Sequence, residues 1–418
     1  MTDTADVVGR PNSQLVLTVA LLVLCQSVQS LMYGGIALFL PLIRRDIAIS
    51  FTQAGELAAA SIATYAAMQI PGGYLADRFG PKRLFAIGLL GVTVTAFDLA
   101  QLHQFWLILI NQVASGFFRA LVFAPGLLLI TALFSPERRA TAMGLYVAGG
   151  FSSNVFLNAI GPFVVGPLGW RNMFLIFSIL GLVVLGLYYY IGSDGPHGLG
   201  SSQKPLSELL GLLRSRSLWI IGAIQYVRLA VVSGLAFWLP TFIVVDKGQS
   251  LQVAGLAVAL AAALGAPANV LGGYLSDRLR KPVLIIAISL AVLAVNNCLL
   301  VEVHNITLLF CVVAVNGVFA QFYFGPLFSL PIDLFGPRMA GVTSGFGNLC
   351  ANLGGLTFAV TLGAVKDLTG SFNIGLFGLA ALCVVGLICL LLLTWFGAGK
   401  GGEQVAVAGR RGNPRLEP

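Results

Sequence analysis

The chain alternates long apolar runs with short polar segments. Most of the runs are 19 to 29 residues long, and a helix needs about 20 residues to cross the hydrocarbon of a bilayer at about 1.5 Å each. Twelve such runs predict twelve helices. In the first half they are Leu15 to Leu40, Ala54 to Ala76, Leu84 to Gln101, Phe105 to Phe134, Thr141 to Gly166 and Asn172 to Ile191. The second half supplies Leu218 to Val245, Val253 to Ser276, Val283 to Val301, Ile306 to Leu334, Ala340 to Val365 and Phe372 to Phe396. The organisation expected is an N-terminal six-helix bundle (1–191), a polar connecting loop (192–217), a C-terminal six-helix bundle (218–396) and a tail (397–418) expected to be disordered. The first run is too long for a signal-peptide core and lacks a small-residue cleavage pattern, so it is expected to remain as the first helix.

The polar phrases repeat. "GGYLADRFGPKR" (Gly72 to Arg83) returns as "GGYLSDRLRKP" (Gly272 to Pro282), an offset of 200. "FSPERRATAMG" (Phe134 to Gly144) resembles "FGPRMAGVTSG" (Phe335 to Gly345) at an offset of 201. Two matches at nearly one offset, close to half of 418 residues, point to a duplicated unit. Both copies of the first phrase end an even-numbered span, where glycines permit close helix packing and the aspartate is placed to meet a neighbouring helix N-terminus. Asp77, Arg78 and Arg138, with Asp277 and Arg278 of the second copy, are the expected gating residues.

Composition agrees with the pattern. Hydrophobic residues make up 57% and charged residues 10%, against the roughly 25% charged residues of a soluble domain, and the mean hydropathy is +0.91. This is an all-α integral membrane chain. Its basic residues are unevenly placed: with the N-terminus inside, the inner segments hold seventeen Lys and Arg and the outer segments five. That bias places both termini in the cytoplasm of a multi-pass inner-membrane protein. The net charge of +8 is therefore a topology signal, dispersed over short loops without aromatic platforms, and not a nucleic-acid surface. All six cysteines fall inside spans at no metal-ligand spacing, so neither a disulfide nor a metal is implied. No cofactor is implied either.

"GGYLADRFGPKR" resembles the signature loop of the major facilitator superfamily, with Gly73, Asp77, Arg78, Gly80, Lys82 and Arg83 on the pattern. Gly273, Asp277 and Arg278 match it in the second copy. The resemblance implies two pseudo-symmetric six-helix bundles around a central cavity lined mainly by spans 1, 4, 7 and 10, which rock to expose that cavity to alternate sides. Related halves with a midplane site are a general transporter plan. A monomer in the lipid bilayer, with a small substrate as its partner, is expected.

Two charges lie deep within spans. Arg119 is 14 residues from Phe105 and 15 from Phe134, near the bilayer midplane. Arg228 is 10 residues from Leu218, about 15 Å in at 1.5 Å per residue. An arginine at such depth costs about 2.5 to 3.5 kcal/mol and turns to a cavity or a partner. Glu56, Asp77, Asp98, Asp277, Glu302 and Asp333 all lie near span ends, so acid partners are scarce. Two guanidinium groups, one per half, suit an anion, because the planar fork holds carboxylate, phosphate or sulfonate by paired hydrogen bonds. A structural or gating role is the other reading. Gln26, Gln29 and Tyr33 share one face of span 1, Gln225 and Tyr226 flank Arg228, and Asn316 and Tyr323 are seven apart on span 10; these complete the candidate binding set. Asn154 with Asn158, and Asn348 with Asn352, read as i, i+4 pairs that join helices.

Within the superfamily, "FWLPTFIV", "NLGG" and "KDLTGSFN" look like the anion:cation symporters and the organophosphate:phosphate antiporters. The symporters carry on helix 4 an Arg, a Gly four residues on and a Glu seven residues on; here those places hold Gln112, Gly116 and Arg119. Their proton-coupling scheme therefore does not transfer, and neither does the helix-4 arginine of drug:proton antiporters. Anion exchange and symport remain open. The histidines (His103, His197, His304) sit in loops or at span ends and no deep acid pair exists, so the chain is not read as an enzyme. The expected function is transport of a small organic anion, a carboxylate first, with Arg119 and Arg228 as clamp. Phosphate esters, nitrate-type anions and proton-coupled organic acids are the alternatives.

Overall fold

The computed structural model describes residues 12–134, 139–191, 215–335 and 340–409, and among these every regular element is an α-helix. With no water in hydrocarbon to satisfy a stray N–H or C=O, the chain must pair its backbone within each crossing. α1 (Asn12–Ile47), α2 (Phe51–Phe79), α3 (Pro81–Gln101) and α4 (Phe105–Ala132) lead to a helical run, Arg139–Ile191, interrupted at Gly169. There φ is 78°, a conformation open to glycine and strained for other residues. Its arms are numbered α5 (139–168) and α6 (170–191). The second half comprises α7 (Arg216–Val245), α8 (Leu251–Leu279), α9 (Pro282–Glu302), α10 (Ile306–Phe322), α11 (Phe324–Phe335), α12 (Ala340–Thr369) and α13 (Asn373–Gly409).

Among the described residues, ten stretches are long and apolar enough to cross a membrane. One of them, Tyr146–Ile191, holds both α5 and α6, while α2, which carries Glu56, Asp77 and Arg78, is the remaining crossing. Two details differ from expectation. The tenth span is two helices, because Pro326 has no N–H to give the Phe322 carbonyl and the helix breaks at Tyr323 (φ −96°, ψ 4°). That carbonyl turns onto Gly272, where a Cβ would lie 1.7 Å from it; the first glycine of the repeated phrase makes room for a broken helix. Its counterpart Gly72 lies more loosely against the Ala120 carbonyl of α4, which runs on past Pro125 unbroken. The second difference is the tail, where helix continues to Gly409 because extending an existing helix costs far less than starting one. Residues 410–418 and 192–214 lie outside the described residues.

The duplication is visible in side-chain chemistry as well as in sequence. Ser50 and Ser250 cap α2 and α8, and prolines open α3 and α9. Asp46 accepts from Trp170 Nε1 (3.1 Å) and pairs with Arg171 (2.9 Å). Asp246, 200 positions on, takes the backbone N–H of Phe372 (2.9 Å) and the Lys366 ammonium. Each aspartate thus ties the end of the first helix of its half to the junction between the fifth and sixth.

The halves meet along α2 with α12, α5 with α8 and α1 with α7. Their tightest contacts lie at one face, called here the closed face, which carries the α1–α2 and α7–α8 turns. A Cβ on Gly55 would lie 2.4 Å from the Ala359 carbonyl, and one on Gly255 would lie 2.4 Å from that of Asn158. Toward the other face, Gly73 and Gly345, and likewise Gly144 and Gly273, have nothing within 4 Å of a Cβ. The close approach between the halves does not extend to these four glycines.

Candidate functional site

Where the halves diverge they enclose a cavity of about 250 Å³. Its walls come from α1, α2, α4, α5, α7, α8 and α10, so α2, α5 and α8 join the helices expected. Tyr33, Ser61, Gln112, Asn154 and Asn158 give the N-terminal wall its polar groups, and Ser233, Asn316 and Gln321 those of the other wall. Among the described residues no Asp or Glu lines it.

Arg119 stands beside this cavity. Gly116, one turn before it, lets α4 press against α2, since a Cβ there would be 2.2 Å from the Ser61 carbonyl. The guanidinium accordingly reaches Ser61 Oγ (3.2 Å) and lies 3.6 Å from the Tyr33 ring centroid and 4.9 Å from that of Tyr65. Tyr33 and Ser61 both line the cavity. The Nε of Arg119 is buried without a hydrogen-bond partner, and among the described residues no carboxylate pairs with the group. Two aromatic faces and one hydroxyl compensate a full positive charge only in part.

Arg228 is placed differently. It is 6% exposed, donates from Nε to Gln225 Oε1 (2.9 Å), and lies under Phe324 (5.0 Å) and Phe328 (5.4 Å) of α11. Like Arg119, it is not among the lining residues, nor are Gln225, Tyr226, Gln29 and Tyr323. Tyr226 shares a 2.6 Å hydrogen bond with Thr357, joining α7 to α12. Gln26 and Gln29 are buried, each with an unpartnered Oε1, and Tyr323 is buried at the break with an unpartnered hydroxyl. Asn316 does face the cavity, yet its amide donates to Asn297 Oδ1 (3.2 Å).

Of the gating set, Arg138 and the Asp77 side chain lie outside the described residues. Arg78, Asp277 and Arg278 are exposed; Arg278 donates to Tyr274 of its own helix (3.3 Å), and Arg78 lies over Phe79. Asn348 reaches across to Gln69 of α2 (2.6 Å), while Asn158 donates back to Asn154 (2.8 Å to its carbonyl) as both face the cavity. Sequence reasoning missed Ser61 and Tyr65. Their spacing of four on one helix face was the available signal.

The Major Facilitator Superfamily profile matches residues 22–359. The "Nitrite extrusion protein" of Bacillus subtilis (strain 168) is 24% identical over 84% of this chain and 87% of its own. The "Probable galactarate/D-glucarate transporter GarP" of Escherichia coli (strain K12) is 21% identical over 84% of this chain and 88% of its own. A crystal structure of a bacterial homolog of the human lysosomal transporter Spinster, in an inward-facing and occupied conformation, superposes with a TM-score of 0.76 at 17% identity, covering 92% of this chain and 97% of that one.

Proposed function

Because the chain belongs to the major facilitator superfamily, we propose that it carries a small organic anion, a carboxylate first, through this cavity by alternating access, with Arg119 as the anchor. The observation that carries the reading is Arg119 itself, a cation without an acid partner among the described residues, touching two residues that line the cavity. An anion there would complete the neutralisation that Tyr33, Tyr65 and Ser61 leave unfinished, by paired hydrogen bonds to the guanidinium fork. Relatives named for nitrite and for galactarate and D-glucarate support anionic cargo. Arg228 is the second cation of the proposed clamp; it meets the substrate when α11 shifts Phe324 and Phe328 off it. With the basic loops cytoplasmic, the closed face is the outer one and the conformation is inward-open. With no Asp or Glu lining the cavity among the described residues, exchange is favoured over proton coupling.

Thermal unfolding of the purified protein with a panel of carboxylates, phosphate esters and nitrate tests this. A ligand at 100 times its dissociation constant adds about 2.7 kcal/mol, and Arg119→Gln should remove that gain without lowering the ligand-free midpoint. A gain that survives the substitution overturns the anchor; stabilisation by nitrate alone moves the reading to an inorganic anion.

A further inference from the structure

We infer that the transported anion has an apolar body, its charged head at Arg119 and its hydrocarbon side against α7 and α8. The inference rests on the anion reading above and narrows its substrate class. The two cavity walls differ chemically. Five polar side chains stand on the N-terminal wall beside the arginine, whereas the α7 and α8 part of the wall opposite presents Val232, Ala236, Phe237, Val258, Ala261 and Ala262 with Ser233 as its one polar side chain among the described residues, Asn316 and Gln321 standing on α10. Ala236 is exposed and the other five are partly buried, so part of each remains uncovered. Of the polar groups on that wall, the Asn316 amide already donates to Asn297.

A hydroxylated body turned toward this wall would leave water and find few partners, and an unpaired polar group in an apolar setting is unfavourable. A hydrocarbon body gains there, at about fourfold in affinity per buried methylene. A charged head at one end also matches Arg119, the arginine in contact with lining residues, since Arg228 lies under Phe324 and Phe328 in this conformation. The cavity therefore selects amphiphilic monoanions over polyhydroxylated acids of equal length.

Calorimetric binding of acetate, propionate, butyrate, hexanoate and gluconate to the detergent-purified protein tests this. Affinity should rise about fourfold per methylene until the cavity is filled. Hexanoate should bind at least tenfold tighter than gluconate, a partner of the same carbon count and charge. Val258→Thr should flatten the chain-length series. Arg119→Gln should abolish the series, whereas a slope that survives it is partition into detergent and overturns the inference. Gluconate binding as well as hexanoate overturns the apolar body alone, with the anion anchor intact. No binding by any anion, nitrate included, overturns both.

Discussion

The first turn of α2 is finished by the other half of the molecule, and that makes Asp367 a lever on conformation. A helix begins with N–H groups that have no partner within it. In α2, Ser50 Oγ takes the N–H of Gln53 (3.1 Å), leaving Phe51 and Thr52. The Asp367 carboxylate at the end of α12 accepts both, at 3.0 and 2.7 Å, and the Thr52 hydroxyl at 2.6 Å. A carboxylate in such a position stabilises by about 1 kcal/mol, taking the middle of the capping range and the upper end of the exposed helix-dipole range. Asp367 is exposed, so nothing larger is warranted. The contact bridges the halves at the closed face and must break when that face opens, so its loss acts on one state alone. Asp367→Ala should raise the ratio of closed-face-open to closed-face-closed molecules about fivefold, the equivalent of 1 kcal/mol. Spin labels at Gln104 and His304, both exposed on the closed face and one in each half, would report the longer distance by double electron–electron resonance. High salt should imitate the substitution in part. An unchanged distance distribution in a well-folded Asp367→Ala protein refutes the latch.

The pair of Lys366 with Asp246, each under a tenth exposed, should make Lys366→Met cost about 3–5 kcal/mol by stranding a buried carboxylate, with Asp246→Asn in the same chain recovering part of it; thermal unfolding of the single and double variants checks this. Arg119→Gln should abolish transport in folded protein and Arg119→Lys should restore only a fraction, because an ammonium cannot present the planar fork; uptake into proteoliposomes is the measurement. Arg228→Gln should weaken dicarboxylates more than monocarboxylates, where Arg119→Gln weakens both, as binding of a matched pair would show. Counter-substrate inside proteoliposomes should accelerate uptake more than an imposed pH gradient, and dependence on the gradient with no response to internal anion would contradict it.

What was legible in the sequence is what one dimension carries. Bilayer thickness sets run length, so the spans read directly, and two phrases about 200 positions apart exposed the duplication before Asp46 and Asp246 were seen in matching roles. The depth of Arg119 and Arg228 also follows from counting residues. Which way a deep residue turns does not, because a crossing helix is apolar on the lipid side and on the packed side alike, leaving periodicity little to distinguish them. Ser61 and Tyr65 became neighbours of Arg119 only because Gly116 brings α4 onto α2. The two arginines, equal by depth, were separated by tertiary structure: the break at Tyr323 lays Phe324 and Phe328 over Arg228, while Arg119 is held by Tyr33, Tyr65 and Ser61, of which Tyr33 and Ser61 line the cavity. Local sequence sets how long a helix is and what it carries, whereas packing between helices decides which of those groups the cavity sees.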